Sequence, residues 1–146
     1  MVIGLGNPSC GDDGAGRACV AALAGRLPAE VELIESDGEP AALLALLARA
    51  REAWLIDACR SGAQAGTVRR FDVTGHPLPA LAVPHSTHGL GLNEALELAR
   101  ALGMLPERCL VYAIEGCSYR TGASLSQPVR AAIAVVAERI VRASAR

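Results

Sequence analysis

Short apolar runs alternating with segments of helical periodicity predict an α/β fold: a three-layer α/β/α sandwich around a doubly wound, mostly parallel sheet of about five strands. Three observations carry this reading. Trp54 to Ala58 is a continuous apolar run interrupted by Asp57, as expected of a buried parallel strand. Cys19, Val20, Leu23 and Leu27 recur at helical spacing behind the apolar run Val2 to Leu5. Val129, Ile133, Val136 and Ile140 share one face of the last segment.

Taken in order, Val2 to Leu5 is the first predicted strand and Ala15 to Leu27 the first helix. Val31 to Ser36 is the second strand, followed by a helix from Pro40 to about Ala50, with proline suited to its first turn. Trp54 to Ala58 is the third strand, and the more polar Thr67 to Val73 reads as an edge strand. Thr74 to His88 carries three prolines and all three histidines, so a long loop is expected there. Leu92 to Leu102 is an amphipathic helix, Cys109 to Ile114 a strand, and Val129 to Val141 the closing helix.

With 146 residues, 51% of them hydrophobic, the chain is expected to form a single domain over residues 1–146 around one ordinary core. A formal net charge of −1, without runs of like charge, points away from nucleic acid. No apolar stretch is long enough to span a bilayer, and no secretory signal is visible, so a cytoplasmic protein is expected. All 14 cationic side chains are arginine, which rules out Schiff-base chemistry and a Walker-type phosphate loop. Five cysteines without a CxxC pair read as free thiols, mostly buried. A monomer is the default.

Open α/β sheets bind ligands beyond the carboxyl ends of their strands, which directs attention to Asn7 to Asp13, Asp57, the loop reaching His88, and Glu115. The opening GLGNPSCGDDGAG is dense in glycine, yet GxGxxG from Gly4 would need glycine where Ser9 stands. No organic cofactor is indicated. Asp12 and Asp13 precede the first helix, where an aspartate ordinarily caps free N–H groups. Two adjacent acids exceed what one cap requires, so Asp12 is assigned the structural role and Asp13 the functional one. Asp57 sits in an apolar strand, where an ionised carboxylate is costly without a partner. Its competing reading is a backbone-bonded turn at the strand end. His88, in PHSTHGLGLNEAL, proves little alone, but two carboxylates and an imidazole in one place make a plausible site for a divalent first-row metal. GxSxG is absent and no cysteine has a local histidine partner, which weakens serine and cysteine nucleophile readings.

Taken together, five segments resemble the hydrogenase maturation proteases, in order and over nearly the whole chain. They are GLGN…GDDGAG (Gly4 to Gly16), SDGEPAALLALL (Ser36 to Leu47), LIDA (Leu55 to Ala58), HSTHGLGL (His85 to Leu92) and AIEG…TGASLS (Ala113 to Ser126). The resemblance implies an endopeptidase that removes the C-terminal extension of a nickel-iron hydrogenase large-subunit precursor after nickel insertion. It also implies that Asp13, Asp57 and His88 contact the metal, and the preferred mechanism takes that metal to be the nickel already installed in the substrate; His76 and His85 match no family histidine and are expected to be peripheral. The implied partner is thus the nickel-loaded precursor. An aspartic-type mechanism, with Asp13 and Asp57 as an acid-base pair, stands beside the metal-assisted one. Two rivals are a peptidyl-tRNA hydrolase-like esterase, resembled at Gly4 to Pro8 but disfavoured by a near-neutral chain and by GDDGAG where that family places a catalytic histidine motif, and a non-catalytic nickel-sensing assembly chaperone.

Overall fold

The computed structural model describes residues 1–79 and 91–146. Its sheet has five strands: β1 (Val2–Leu5), β2 (Leu33–Ser36), β3 (Glu52–Cys59), β4 (Val68–Asp72) and β5 (Arg108–Glu115), in the spatial order β2-β1-β3-β5-β4. β1 pairs in parallel with β2 and β3, and β3 with β5, while β4 runs antiparallel along the outer edge of β5. Chain order reverses across β1 and β3, the arrangement that leaves a crevice beyond their carboxyl ends.

Among the described residues four helices cover the sheet: α1 (Ala15–Leu23), α2 (Pro40–Arg49), α3 (Leu92–Ala101) and α4 (Gln127–Ser144). Strand alternation sorts the core into two layers, because successive side chains leave opposite faces. Trp54, Ile56 and Ala58 of β3, with Leu110, Tyr112 and Ile114 of β5, pack against α1 and α4. Ala53, Leu55, Cys109 and Val111 pack on the other side against α2 and α3. Both faces of β3 and β5 are thus apolar, and the strands read as nearly unbroken hydrophobic runs for that reason.

Local chemistry sets the ends of the elements. The first helix stops at Leu23, short of the Leu27 that periodicity suggests. Gly25 adopts φ +71°, a left-handed conformation that terminates helices, and Leu27 packs against the core from the loop. α2 begins on Pro40, and the Glu39 carboxylate accepts the amides of Ala41 and Ala42. α1 lies unusually close to the sheet. A methyl group on Gly16 would stand 2.2 Å from the carbonyl oxygen of Ile56 and 2.5 Å from that of Leu5, so only glycine permits this approach.

Candidate active site

Both aspartates precede α1, as expected, and lie within a 3-10 helix, Gly11–Gly14, that runs directly into it. Neither caps a helix: the residues preceding the 3-10 turn and α1 make no side-chain cap hydrogen bond, and the two carboxylates are employed elsewhere. Asp12 is fully buried. Its Oδ2 accepts the amides of Cys117 (2.9 Å) and Ser118 (3.1 Å) and the hydroxyl of Ser126 (2.9 Å), and its Oδ1 accepts the amide of Ser126 (2.7 Å). Burial pushes this carboxyl upward, but the amides of Cys117, Ser126 and Ser118 outweigh it and hold the pKa below the ordinary range. Asp12 is therefore the clasp between the first turn and the loop after β5. That is a structural role, as sequence assigned it, performed across the fold instead of at a helix end.

Asp13 leaves the same turn in another direction. Its Oδ2 accepts the amide of Asn7 at 2.9 Å, and 7% of the residue is exposed. The turn is tight because Gly6, at φ +120°, passes so close that a methyl group there would sit 1.8 Å from the Asp13 carbonyl oxygen. The glycines at 6 and 16 thus serve the chain's own backbone packing.

Asp57 stands near the carboxyl end of β3 and is 8% exposed. Burial, and after it the negative charge of Asp13, push its pKa up to about 7, against the opposing hydrogen bond from the Ala58 backbone. Two carboxylates from distant segments, Asp13 and Asp57, therefore share one electrostatic environment at the carboxyl edge of the sheet. His88 and His85 lie outside the described residues, while His76 is exposed and lends its carbonyl oxygen to Arg100. Among the described residues no group of three His, Cys, Asp or Glu side chains is arranged to hold a metal.

A second buried carboxylate network backs this edge. Glu115, at the end of β5, is 2% exposed and accepts the amides of Ser61 and Gly62, the Ser61 hydroxyl at 2.7 Å and the Cys59 thiol at 3.2 Å. Burial raises its pKa, but the bonds from Ser61, Cys59 and Gly62 prevail and hold it low. The hydroxyl of Tyr119 donates to the Cys59 carbonyl, and the Arg60 guanidinium lies 4.3 Å from the Tyr119 ring centre. The backbone just beyond Asp57 is thereby tied to the end of β5. Sequence marked Glu115 by its position after a strand but gave no sign of these partners. Nor did it single out Asn93, whose Oδ1 is buried in the first turn of α3 without a hydrogen-bond partner among the described residues.

Three of the cysteines are buried in surroundings that disfavour nucleophilic chemistry. Burial pushes the Cys19, Cys59 and Cys109 thiols up to about 12, leaving almost no thiolate at neutral pH. Cys10 is half-buried, and Cys117, against the expectation of burial, is exposed on the loop that Asp12 clasps.

The family model described as HycI, hydrogenase maturation protease, matches residues 18–143. Among solved structures, the chain is similar to the hydrogenase maturating endopeptidase HybD of Escherichia coli, with 28% identity, a TM-score of 0.78, and coverage of 97% of this chain and 89% of that one. An endopeptidase from Escherichia coli studied in solution is 26% identical, with a TM-score of 0.81 over 96% of this chain and 89% of its own. The [NiFe] hydrogenase maturation protease HycI of Thermococcus kodakarensis KOD1, at 20% identity, shares the fold with a TM-score of 0.78 over 99% and 91% of the two chains. Comparison with curated protein sequences gives no match. A family match across most of the chain, joined to this fold, shows that the chain belongs to the hydrogenase maturation protease family and is a peptide-bond hydrolase.

Proposed function

We propose that this protease removes the C-terminal extension of a nickel-iron hydrogenase large-subunit precursor once nickel has been inserted, using Asp13, Asp57 and His88 to contact the nickel carried by that substrate. The observation that carries this reading is the pair of buried carboxylates, Asp13 and Asp57, coupled at the carboxyl edge of the sheet. Their chemistry fits a divalent cation. A carboxylate held near neutrality by burial and a like charge loses its proton readily when a dication neutralises the repulsion, and oxygen donors beside an imidazole suit a first-row metal. Nickel in the substrate supplies Lewis acidity at the scissile carbonyl or its attacking water. Asp13 and Asp57 orient that centre, and the burial of Asp57 limits the access of bulk water to its carboxylate. No proteolysis proceeds on an unfinished subunit, because the precursor then lacks the cation that draws the site together.

The same electrostatic coupling favours a second reading, in which Asp57 keeps a proton and acts with Asp13 as an acid-base pair. The deciding experiment incubates the protease with nickel-loaded and nickel-free precursor and measures the mass of the large subunit's C-terminus. Shortening of the loaded form alone is expected. Equal shortening of both selects the carboxylate pair, and no shortening of either makes the chain a binding chaperone.

A further inference from the structure

At the end of the sheet opposite Asp13 and Asp57, a cavity of about 880 Å³ opens between the first residues of the parallel strands and the last turns of α4. That volume lies within the range of about 300–1,000 Å³ typical of small-molecule sites. Its lining includes the largely buried aromatic residues Trp54 and Tyr112, the arginines Arg70, Arg108, Arg139 and Arg142, and the carboxylates Glu30 and Glu52. The register explains the convergence. Arg70 of β4 is the direct partner of Tyr112 on β5, so it leaves the sheet on the face that α4 covers, while Arg139 descends from the helix.

Part of the charge here is spent internally and part is not. Glu52 occupies Arg108 at 3.0 Å and receives the indole N–H of Trp54 at 2.9 Å, and Glu138 lies 3.4 Å from Arg142. Arg70 and Arg139 have no carboxylate within ion-pair distance among the described residues. A helix C-terminus attracts cations, which accounts for Arg142. It does not account for Arg70 and Arg108, which come from strands. Guanidinium groups pair with carboxylate or phosphate through two parallel hydrogen bonds and are less strongly hydrated than ammonium groups.

We propose that this cavity is a second binding site, for a small organic anion bearing more than one carboxylate or phosphate group, whose body covers Trp54 and Tyr112 while its charges reach Arg70 and Arg139. The site is independent of the proteolytic cleft, since the sheet separates them, and it does not rest on the nickel reading.

Trp54 is the chain's single tryptophan, so intrinsic fluorescence reports directly on the cavity. Titration with pyrophosphate and, separately, with citrate should change that fluorescence saturably, with a midpoint below about 1 mM for at least one of them, and the preferred anion distinguishes phosphate from carboxylate ligands. The double substitution Arg70→Ser with Arg139→Ser should weaken binding by about tenfold or more, whereas Arg120→Ser, at the opposite edge, should leave it unchanged. The indole N–H resonance of Trp54 in the unmodified protein should shift in step with the fluorescence, a readout that needs no variant. Absence of a saturable change with either anion, an equal response in the double variant, or resonance shifts confined to other parts of the chain would overturn the proposal.

Discussion

Ser126 donates both its amide and its hydroxyl to Asp12, at 2.7 and 2.9 Å, and so fastens the start of α4 to the turn that carries Asp13. The amides of Cys117 and Ser118 complete the set around the same carboxylate. The loop after β5 is held by one buried negative charge.

Replacing that charge should cost stability first. Asp12→Ala strands three backbone amides in the interior, each worth about 1–3 kcal/mol when unsatisfied, so a loss of roughly 3 kcal/mol or more is expected in denaturant unfolding. The pH dependence has a definite sign. The Asp12 pKa is depressed in the folded state, so its contribution is present above the unfolded value and is lost as pH falls through the folded one. Thermal unfolding below about pH 4 should therefore separate the wild type, which weakens, from Asp12→Asn, which is already weak and changes less.

Asp57 behaves in the opposite sense. Its pKa is raised to about 7, so the folded protein keeps a proton that the unfolded chain releases near pH 4. Wild-type stability from this residue falls as pH rises between those values. Asp57→Asn cannot ionise and escapes that fall. At pH 8 it should be more stable than the wild type by up to a few kcal/mol, each pKa unit counting for about 1.4, with the gap closing toward pH 4. Precursor cleavage should drop by roughly a hundredfold or more in the same variant. A stability difference independent of pH would show that Asp57 is not a desolvated carboxyl.

Asp13→Asn retains an oxygen for the amide of Asn7 while removing the charge, so it separates chemistry from packing. Cleavage of nickel-loaded precursor should be lost, with a melting temperature within about 5 °C of the wild type. His88→Ala should give the same activity result, and His76→Ala should leave cleavage unaffected. Efficient cutting of nickel-free precursor by the wild type would defeat the nickel-sensing mechanism.

Two glycines near α1 offer a steric comparison. Gly16→Ala drives a methyl group to 2.2 Å from the Ile56 carbonyl oxygen and should cost about 3 kcal/mol or more, because backbone on both sides has to move. Gly25→Ala meets nothing within 4 Å and suffers only its left-handed φ, a penalty of about 1–2 kcal/mol. Urea unfolding of the two variants should rank them in that order.

The chain's own sequence determined the layers and the order of strands and helices, because periodicity is local: a residue faces the core according to its neighbours two, three or four positions away. Val129, Ile133, Val136 and Ile140 line the buried face of α4 as their spacing requires, and all four are core residues. Sequence also marked Asp57, since a carboxylate inside WLIDAC conflicts with its surroundings wherever the strand lies. What tertiary structure decided was company. Sequence assigned Asp12 the structural role but could not name its partners, and only the arrival of Cys117, Ser118 and Ser126 made it a clasp. Glu115 found the loop after β3 through strand pairing, and Arg70 came to share a cavity wall with Arg139 through the register of β4 on β5. Those meetings depend on crossovers that join segments remote in sequence, and side-chain chemistry there is set by burial and charge supplied from the other segment.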